Sequence, residues 1–207
     1  MSTAAARVPE APPSKVWLRP FTVAEYHDMI RHGILTEDER VELLDGWVVK
    51  KMAHNPPHDA AIGRLQRRIG ARLPDDWLIR VQCAVTLKDS EPEPDIAIVT
   101  GPEEEYDTRH PGGSDVGMLI EVSDSSVEED REVKGPIYAR ARIPIYWIVN
   151  IPEQQIEVYT GPRGGKTPGY RRRQDIGFGD SVPLVLGTKV LAHLPVRQLI
   201  PRPETQT

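Results

Sequence analysis

Two carboxylates stand where a folded chain has little reason to put charge. Asp95 follows Glu93-Pro94 and opens the apolar run Ile96-Ala97-Ile98-Val99, and Glu121 sits inside Leu119-Ile120-Glu121-Val122. An ionised carboxylate within an apolar strand costs free energy unless it is paired or holds a cation. If the two segments are adjacent strands, roughly 5 Å apart, both side chains reach one ion. Two hard oxygen donors, with the other positions left to water and a phosphate oxygen, are the usual protein share of a Mg²⁺ site. Taken singly each acid has a plainer explanation, Asp95 as a turn residue after proline and Glu121 as an edge-strand residue facing water. Downstream, Lys134 and Tyr138 are four apart and share one helix face, although a lone lysine is usually solvated. His54 and His58 have the spacing with which a helix presents two imidazoles to zinc. Pro56 and Pro57 intervene and are expected to break the helix between them, so no zinc site is expected; His58 is left as a polar group near the cleft or a helix-start residue.

The elements that would position these groups follow from hydrophobic period and punctuation. Thr22 with Glu25 three residues on forms a capping box for a helix through Arg31, ended by Gly33. Asp45-Gly46 between Leu43-Leu44 and Trp47-Val48-Val49 predicts a β-hairpin over 41–52. Ile62, Leu65, Ile69 and Leu73 make the apolar stripe of an amphipathic helix over 57–73, whose other face carries Arg64, Arg67, Arg68 and Arg72. Strands are expected at 77–87, 94–99 and 117–123. A polar acidic stretch from Ser123 to Asp130 leads into a helix running to about Arg142, which Pro144 stops. Strands follow at 145–150, 155–160 and 170–174, then a Pro/Gly-punctuated end and a short helix near 196–200. Right-handed crossover of the helix places strand 145–150 parallel to strand 117–123. The four tryptophans, Trp17, Trp47, Trp77 and Trp147, are assigned to core or hairpin packing.

Pro94-Asp95, then Glu121, then a lysine resembles the signature of the PD-(D/E)XK nuclease superfamily, and the wording is similar to its Uma branch of restriction-endonuclease-like proteins. Four blocks carry the likeness: Val41-Glu42-Leu43-Leu44-Asp45-Gly46 with His58 downstream; Glu93-Pro94-Asp95-Ile96-Ala97; Ile120-Glu121-Val122-Ser123-Asp124-Ser125-Ser126; and Lys134 with Tyr138, followed by Ile143-Pro144-Ile145-Tyr146-Trp147-Ile148-Val149. In the superfamily at large the lysine stands two residues after the glutamate, where this chain has Ser123; in the branch it resembles, the lysine has moved to the next helix, here Lys134. The resemblance implies an α/β fold with a restriction endonuclease-like core (αβββαβ, a mixed sheet flanked by helices), an N-terminal β-hairpin and extra C-terminal strands. It implies that Asp95 and Glu121 bind Mg²⁺ (or Mn²⁺), that Lys134 completes the catalytic set, that Glu42 is a further metal ligand or a polar support, and that Gln82, His58 and Tyr138 surround the ligands. The implied activity is metal-dependent endonuclease hydrolysis of phosphodiester bonds in DNA, with a homodimer supplying one site per strand. The alternative from another class is a catalytically inactive nuclease-fold module for binding nucleic acid or protein.

The bulk properties allow this. At 207 residues, with 39% hydrophobic and 28% charged residues, the chain suits one packed domain over 17–200, with a flexible arm at 1–16 and a flexible tail at 201–207. The single cysteine, Cys83, excludes an internal disulfide, no run approaches the roughly 20 apolar residues of a membrane span, and a cytoplasmic location is expected. The net charge of −5 is unhelpful for a phosphate backbone, which leaves any attraction to local basic stripes such as Arg64 to Arg72 and Arg171 to Arg173.

Overall fold

The computed structural model describes residues 18–36 and 38–202; the expected arm at 1–16, Trp17 and tail residues 203–207 lie outside the described residues. Helix α1 (Val23–Arg31) begins as the capping box requires: the Glu25 amide donates to Thr22 Oγ1 at 3.2 Å, and the Thr22 amide donates to Glu25 Oε2 at 2.9 Å. Strands β1 (Val41–Leu44) and β2 (Trp47–Lys50) form the expected hairpin. Its turn residues, Asp45 and Gly46, both have positive φ (49° and 80°), the backbone that matches the twist of a two-residue hairpin. Trp47 stands 43% exposed there rather than joining the core.

Helix α2 (Pro56–Gly70) begins at the two prolines, with His58 in its first turn and His54 ahead of it. The prolines suit the first helical positions, which need no backbone donor, and Asn55 caps them by accepting from the His58 amide at 3.0 Å. Ile62, Leu65 and Ile69 are buried along its inner face as the spacing requires.

The main sheet has six strands in the order β3 (Trp77–Val81), β4 (Ile96–Thr100), β5 (Val116–Ser123), β6 (Ile145–Asn150), β7 (Gln155–Arg163) and β8 (Gly169–Gly177). All neighbours are antiparallel except β5 and β6, which run parallel across the helical connection, as expected. β3 stops well short of residue 87 because Gln82 takes a positive φ of 52° and leaves the ladder. The end of the chain also differs from expectation: β9 (Ser181–Leu186) and β10 (Lys189–Pro195) form a second hairpin, followed by only a short 3₁₀ turn at Val196–Gln198, and Pro201 is buried rather than part of a loose tail. Alternation along β5 sends Met118, Ile120 and Val122 into the core beneath α2 and the second hairpin, and Leu119 into the core on the opposite face.

The connection between β5 and β6 starts earlier than expected and is not one regular helix. It comprises α3 (Val127–Glu129), a π-helical turn (Asp130–Lys134) and α4 (Gly135–Arg140). A π turn carries an extra residue per turn and so re-aims the side chains around it. It is anchored by Arg131, whose Nε donates to Glu157 Oε2 at 3.0 Å. Glu157 lies fully buried on β7 and also accepts from Asn150 Nδ2 (2.9 Å) and Tyr159 Oη (2.7 Å), with Arg173 at 3.3 Å. Burial alone would raise its pKa, but these donors and cations hold it down at about 2. A carboxyl whose folded pKa is depressed from 4.5 to about 2 contributes stability that is complete above pH 4.5 and lost as pH falls towards 2. Denaturant titrations across pH 6 to 2 should therefore show a loss on the order of 3 kcal/mol that Glu157→Gln removes from the pH profile.

Candidate active site

Strands β1, β4 and β5 and the helical connection after β5 converge on one acidic cleft at the C-terminal end of β5. Asp95 sits at the entrance to β4 and Glu121 on the adjacent β5, and each is held by the backbone beside the other. The Val122 amide donates to Asp95 Oδ2 at 2.8 Å, and the Asp95 amide donates to Glu121 Oε2 at 3.3 Å. This reciprocal clamp fixes both carboxylates across one strand pair. The π turn brings Lys134 and Tyr138 onto the same acid: Lys134 Nζ donates to Glu121 Oε1 at 3.1 Å and Tyr138 Oη to the same oxygen at 2.6 Å. Glu42, from β1, reaches in from the hairpin; its Oε2 accepts from the Glu93 amide at 2.9 Å and its Oε1 lies 3.3 Å from Lys134 Nζ.

All of these groups are buried, Glu42 and Glu121 to 2% exposure, Asp95 to 7% and Lys134 to 8%. One ammonium therefore faces several carboxylates in a poor dielectric. Burial pushes the Glu121 carboxyl up to about 8, with Asp130, Asp95 and Glu42 adding to the rise and Lys134 opposing it. Asp95 moves the other way: burial would raise it, but His58, the Val122 amide and Lys134 hold it below its ordinary value. Lys134 is kept charged against its burial by Glu121 and Glu42. Asp130, absent from the sequence-based set, is also buried and accepts from Ser123 Oγ (2.6 Å) and Ser126 Oγ (3.0 Å); burial raises it to about 6. Its only signal in the sequence is the Ser-Asp-Ser-Ser loop, which reads as a helix cap until the π turn swings Asp130 back over Ser123.

The cluster tests the fit of a hard divalent cation. Asp95 and Glu121 present hard oxygens, and the excess of buried negative charge around Glu121 is what a dication would neutralise. Glu42 adds a third carboxylate beside them, its oxygens meeting the Glu93 amide and Lys134. Gln82 points its amide at Asp95 Oδ1 (3.4 Å) and His54 Nδ1 (3.2 Å). His58 Nε2 lies 3.2 Å from Asp95 Oδ2. Although burial works against it, the Asp95 and Asp59 carboxylates raise the His58 pKa, while burial and His58 lower that of His54. The two histidines do not share a helix, as the prolines require, yet their rings stack with centroids 4.2 Å apart, and ligand atoms of His54, His58 and Asp95 all lie within 4.8 Å of one another.

A mixed sheet with a helical crossover between its parallel strands, and acids at the mouths of two adjacent strands, defines a restriction-endonuclease-like α/β protein. The chain belongs to the Uma2 family, whose model, described as "putative restriction endonuclease", matches residues 23–197. The fold is also that of a crystal structure from Anabaena variabilis ATCC 29413, described as "a putative nuclease belonging to DUF820", with a TM-score of 0.65 at 16% identity over 87% of this chain and 97% of that one. No curated protein matches the chain in sequence. Among the described residues, no helix is long and apolar enough to cross a membrane.

Proposed function

We propose that the protein is a metal-dependent endonuclease that hydrolyses phosphodiester bonds of DNA, with Asp95 and Glu121 as ligands for Mg²⁺ or Mn²⁺ and Lys134 as the third catalytic residue. The observation that carries this is the Asp95–Glu121 clamp with Lys134 Nζ 3.1 Å from Glu121. A bound dication would lower the pKa of its water and neutralise charge on the scissile phosphate. The chain's own groups supply the rest. Lys134, buried and charged, stabilises the negative charge that builds on the phosphate oxygens during attack. Glu42 orients that ammonium through its 3.3 Å contact, and Tyr138 fixes the Glu121 carboxylate by donating to the same oxygen that Lys134 meets. Gln82 and His58 hold Asp95. A cleavage assay on supercoiled DNA tests the proposal directly: cutting with Mg²⁺ or Mn²⁺ that EDTA stops and Asp95→Ala abolishes supports it. A folded protein that leaves DNA intact under every one of these conditions favours the non-catalytic nuclease-fold module, the reading that Ser123 at the superfamily's usual lysine position supports.

A surface for the phosphate backbone favours nucleic acid over a small diester. Arg64, Arg67, Arg68, Arg197 and Arg202 line one groove between α2 and the chain's end, and no carboxylate lines it among the described residues. Arg64 and Arg68 are pinned by donating to the Ile200 and Gln198 carbonyls (2.8 and 3.2 Å), while Arg67, Arg197 and Arg202 are exposed. Since α2 also carries His58 at its start, with a rise of about 1.5 Å per residue Arg67 lies roughly 14 Å along the axis from the cleft. Reversing the three exposed charges (R67E/R197E/R202E) should weaken DNA binding in EDTA and flatten its log–log salt slope by roughly 0.9 for each phosphate no longer neutralised. Hydrolysis of bis-p-nitrophenyl phosphate, too small to span the distance, should be unchanged. We further propose a homodimer acting in the cytoplasm, because cutting a duplex requires two sites; sedimentation of the protein with and without DNA checks the assembly.

A further inference from the structure

We propose that His54, His58 and Asp95 form a second cation site, for a borderline transition-metal dication such as Zn²⁺, beside the hard-cation position at Asp95 and Glu121. The prolines that start α2 leave His54 in the extended segment ahead of the helix and His58 in its first turn, and the chain folds the two rings into a stack at 4.2 Å and 24°. Ligand atoms of the two imidazoles and Asp95 fall within 4.8 Å of one another, so small rotamer turns bring them to the roughly 2 Å metal distances of such sites. His58 Nε2 already lies 3.2 Å from Asp95 Oδ2. Its other nitrogen, Nδ1, is buried without a hydrogen-bond partner among the described residues, and Asp59 Oδ1 stands 3.6 Å from it, beyond hydrogen-bond length. The same Asp59 oxygen is 3.6 Å from His54 Nδ1. A ligating histidine commonly has its second ring nitrogen oriented by a carboxylate, and with His58 Nε2 on the ion Asp59 is placed for that task at His58 Nδ1.

The charges around the pair suit a cation. Asp95 and Asp59 face it, and Gln82 contributes a neutral amide 3.2 Å from His54 Nδ1. Arg40 lies on the far nitrogen of His54, 3.3 Å from Nε2, and is exposed, so it can turn into solvent. Two imidazoles with one carboxylate prefer Zn²⁺ or Co²⁺ to Mg²⁺, whereas Asp95 and Glu121 offer only oxygen. The two positions share Asp95. Zn²⁺ at the histidines therefore withdraws Asp95 from the catalytic pair, which makes it an inhibitor of the Mg²⁺-supported reaction; this consequence alone rests on the nuclease function proposed above.

The experiment is a calorimetric titration of Zn²⁺, repeated with Co²⁺ followed by visible absorption, into the wild-type protein, His54→Ala, His54→Gln and Glu121→Gln. One site is expected in the wild type, weakened at least about tenfold in both His54 variants and retained in Glu121→Gln. Mg²⁺-supported cleavage, if present, should survive in the His54 variants and become less sensitive to Zn²⁺. The proposal is overturned by a wild type that binds neither ion, by His54 variants that bind as the wild type does, or by loss of binding in Glu121→Gln, which would place the ion at the carboxylate pair. Failure of the nuclease function shows separately, as absence of Mg²⁺- or Mn²⁺-dependent cutting with Zn²⁺ binding intact.

Discussion

Glu121→Gln should abolish DNA cleavage, by a factor on the order of 10³ or more, the scale of removing a single electrostatic stabiliser of a transition state, while leaving the protein at least as stable as its parent. The two effects have one cause. Glu121 is a buried carboxyl whose ionisation is resisted by its burial and by Asp130, Asp95 and Glu42. An acid whose folded pKa is raised from 4.5 to about 8 loses stability for the fold as pH climbs between those values. Glutamine has nearly the same shape and lacks the charge; its carbonyl oxygen can accept from Lys134 and Tyr138, while its NH2 group replaces the acceptor of the 3.3 Å Asp95 amide contact. Thermal melts at pH 8 in EDTA should show a midpoint for the variant equal to or above the parent's. A variant that unfolds readily, or one that still cuts, would mean that Glu121 serves packing rather than catalysis.

The second large effect is expected at Lys134. Its ammonium lies 3.1 Å from Glu121 and 3.3 Å from Glu42, and removing one member of a buried charge group leaves the others uncompensated. Lys134→Met should therefore destabilise the protein by about 3–5 kcal/mol and remove cleavage. Two controls separate this from simple loss of packing. The double variant with Glu121→Gln should recover part of the stability, because one of the stranded charges is gone. Mn²⁺ should raise the melting temperature of Lys134→Met more than that of the parent, because the dication fills the role of the missing cation. Equal metal-induced shifts in both proteins would argue against a shared electrostatic role.

Much of this arrangement is legible from residue types and spacing, because the relevant signals are local. The capping box at Thr22 and Glu25, the Asp45-Gly46 turn and the apolar stripe of α2 all follow from side-chain chemistry within a few residues, and the parallel β5–β6 pair from the helical connection between its strands. Asp95 and Glu121 stand out because one opens an apolar strand and the other interrupts one, and their neighbourhood follows from strand adjacency. What escapes the sequence depends on backbone detail or long-range contact. The π turn has no periodic signature; it follows a helix start already at Val127, and Asp130 at its head is turned inwards. Pro56 and Pro57 mark the start of α2 legibly, but that His54, ahead of the helix, stacks on His58 is a contact no local signal shows. Gln82 breaks β3 by a positive φ that polar residues adopt without advance notice. The β9–β10 hairpin is hidden by its own punctuation, since Pro183 and Gly187 also read as loop. Glu42 is visible as an acid in a motif, but only the structure shows its two oxygens committed to the Glu93 amide and Lys134.

The metal centre at Asp95 and Glu121 is tested most directly by calorimetric titration of Mn²⁺ into the wild-type protein and Asp95→Ala. Saturable binding in the wild type that disappears in the folded variant is the expected result. The same heats in both proteins, or none in a folded wild type, would contradict a carboxylate metal centre at this cleft.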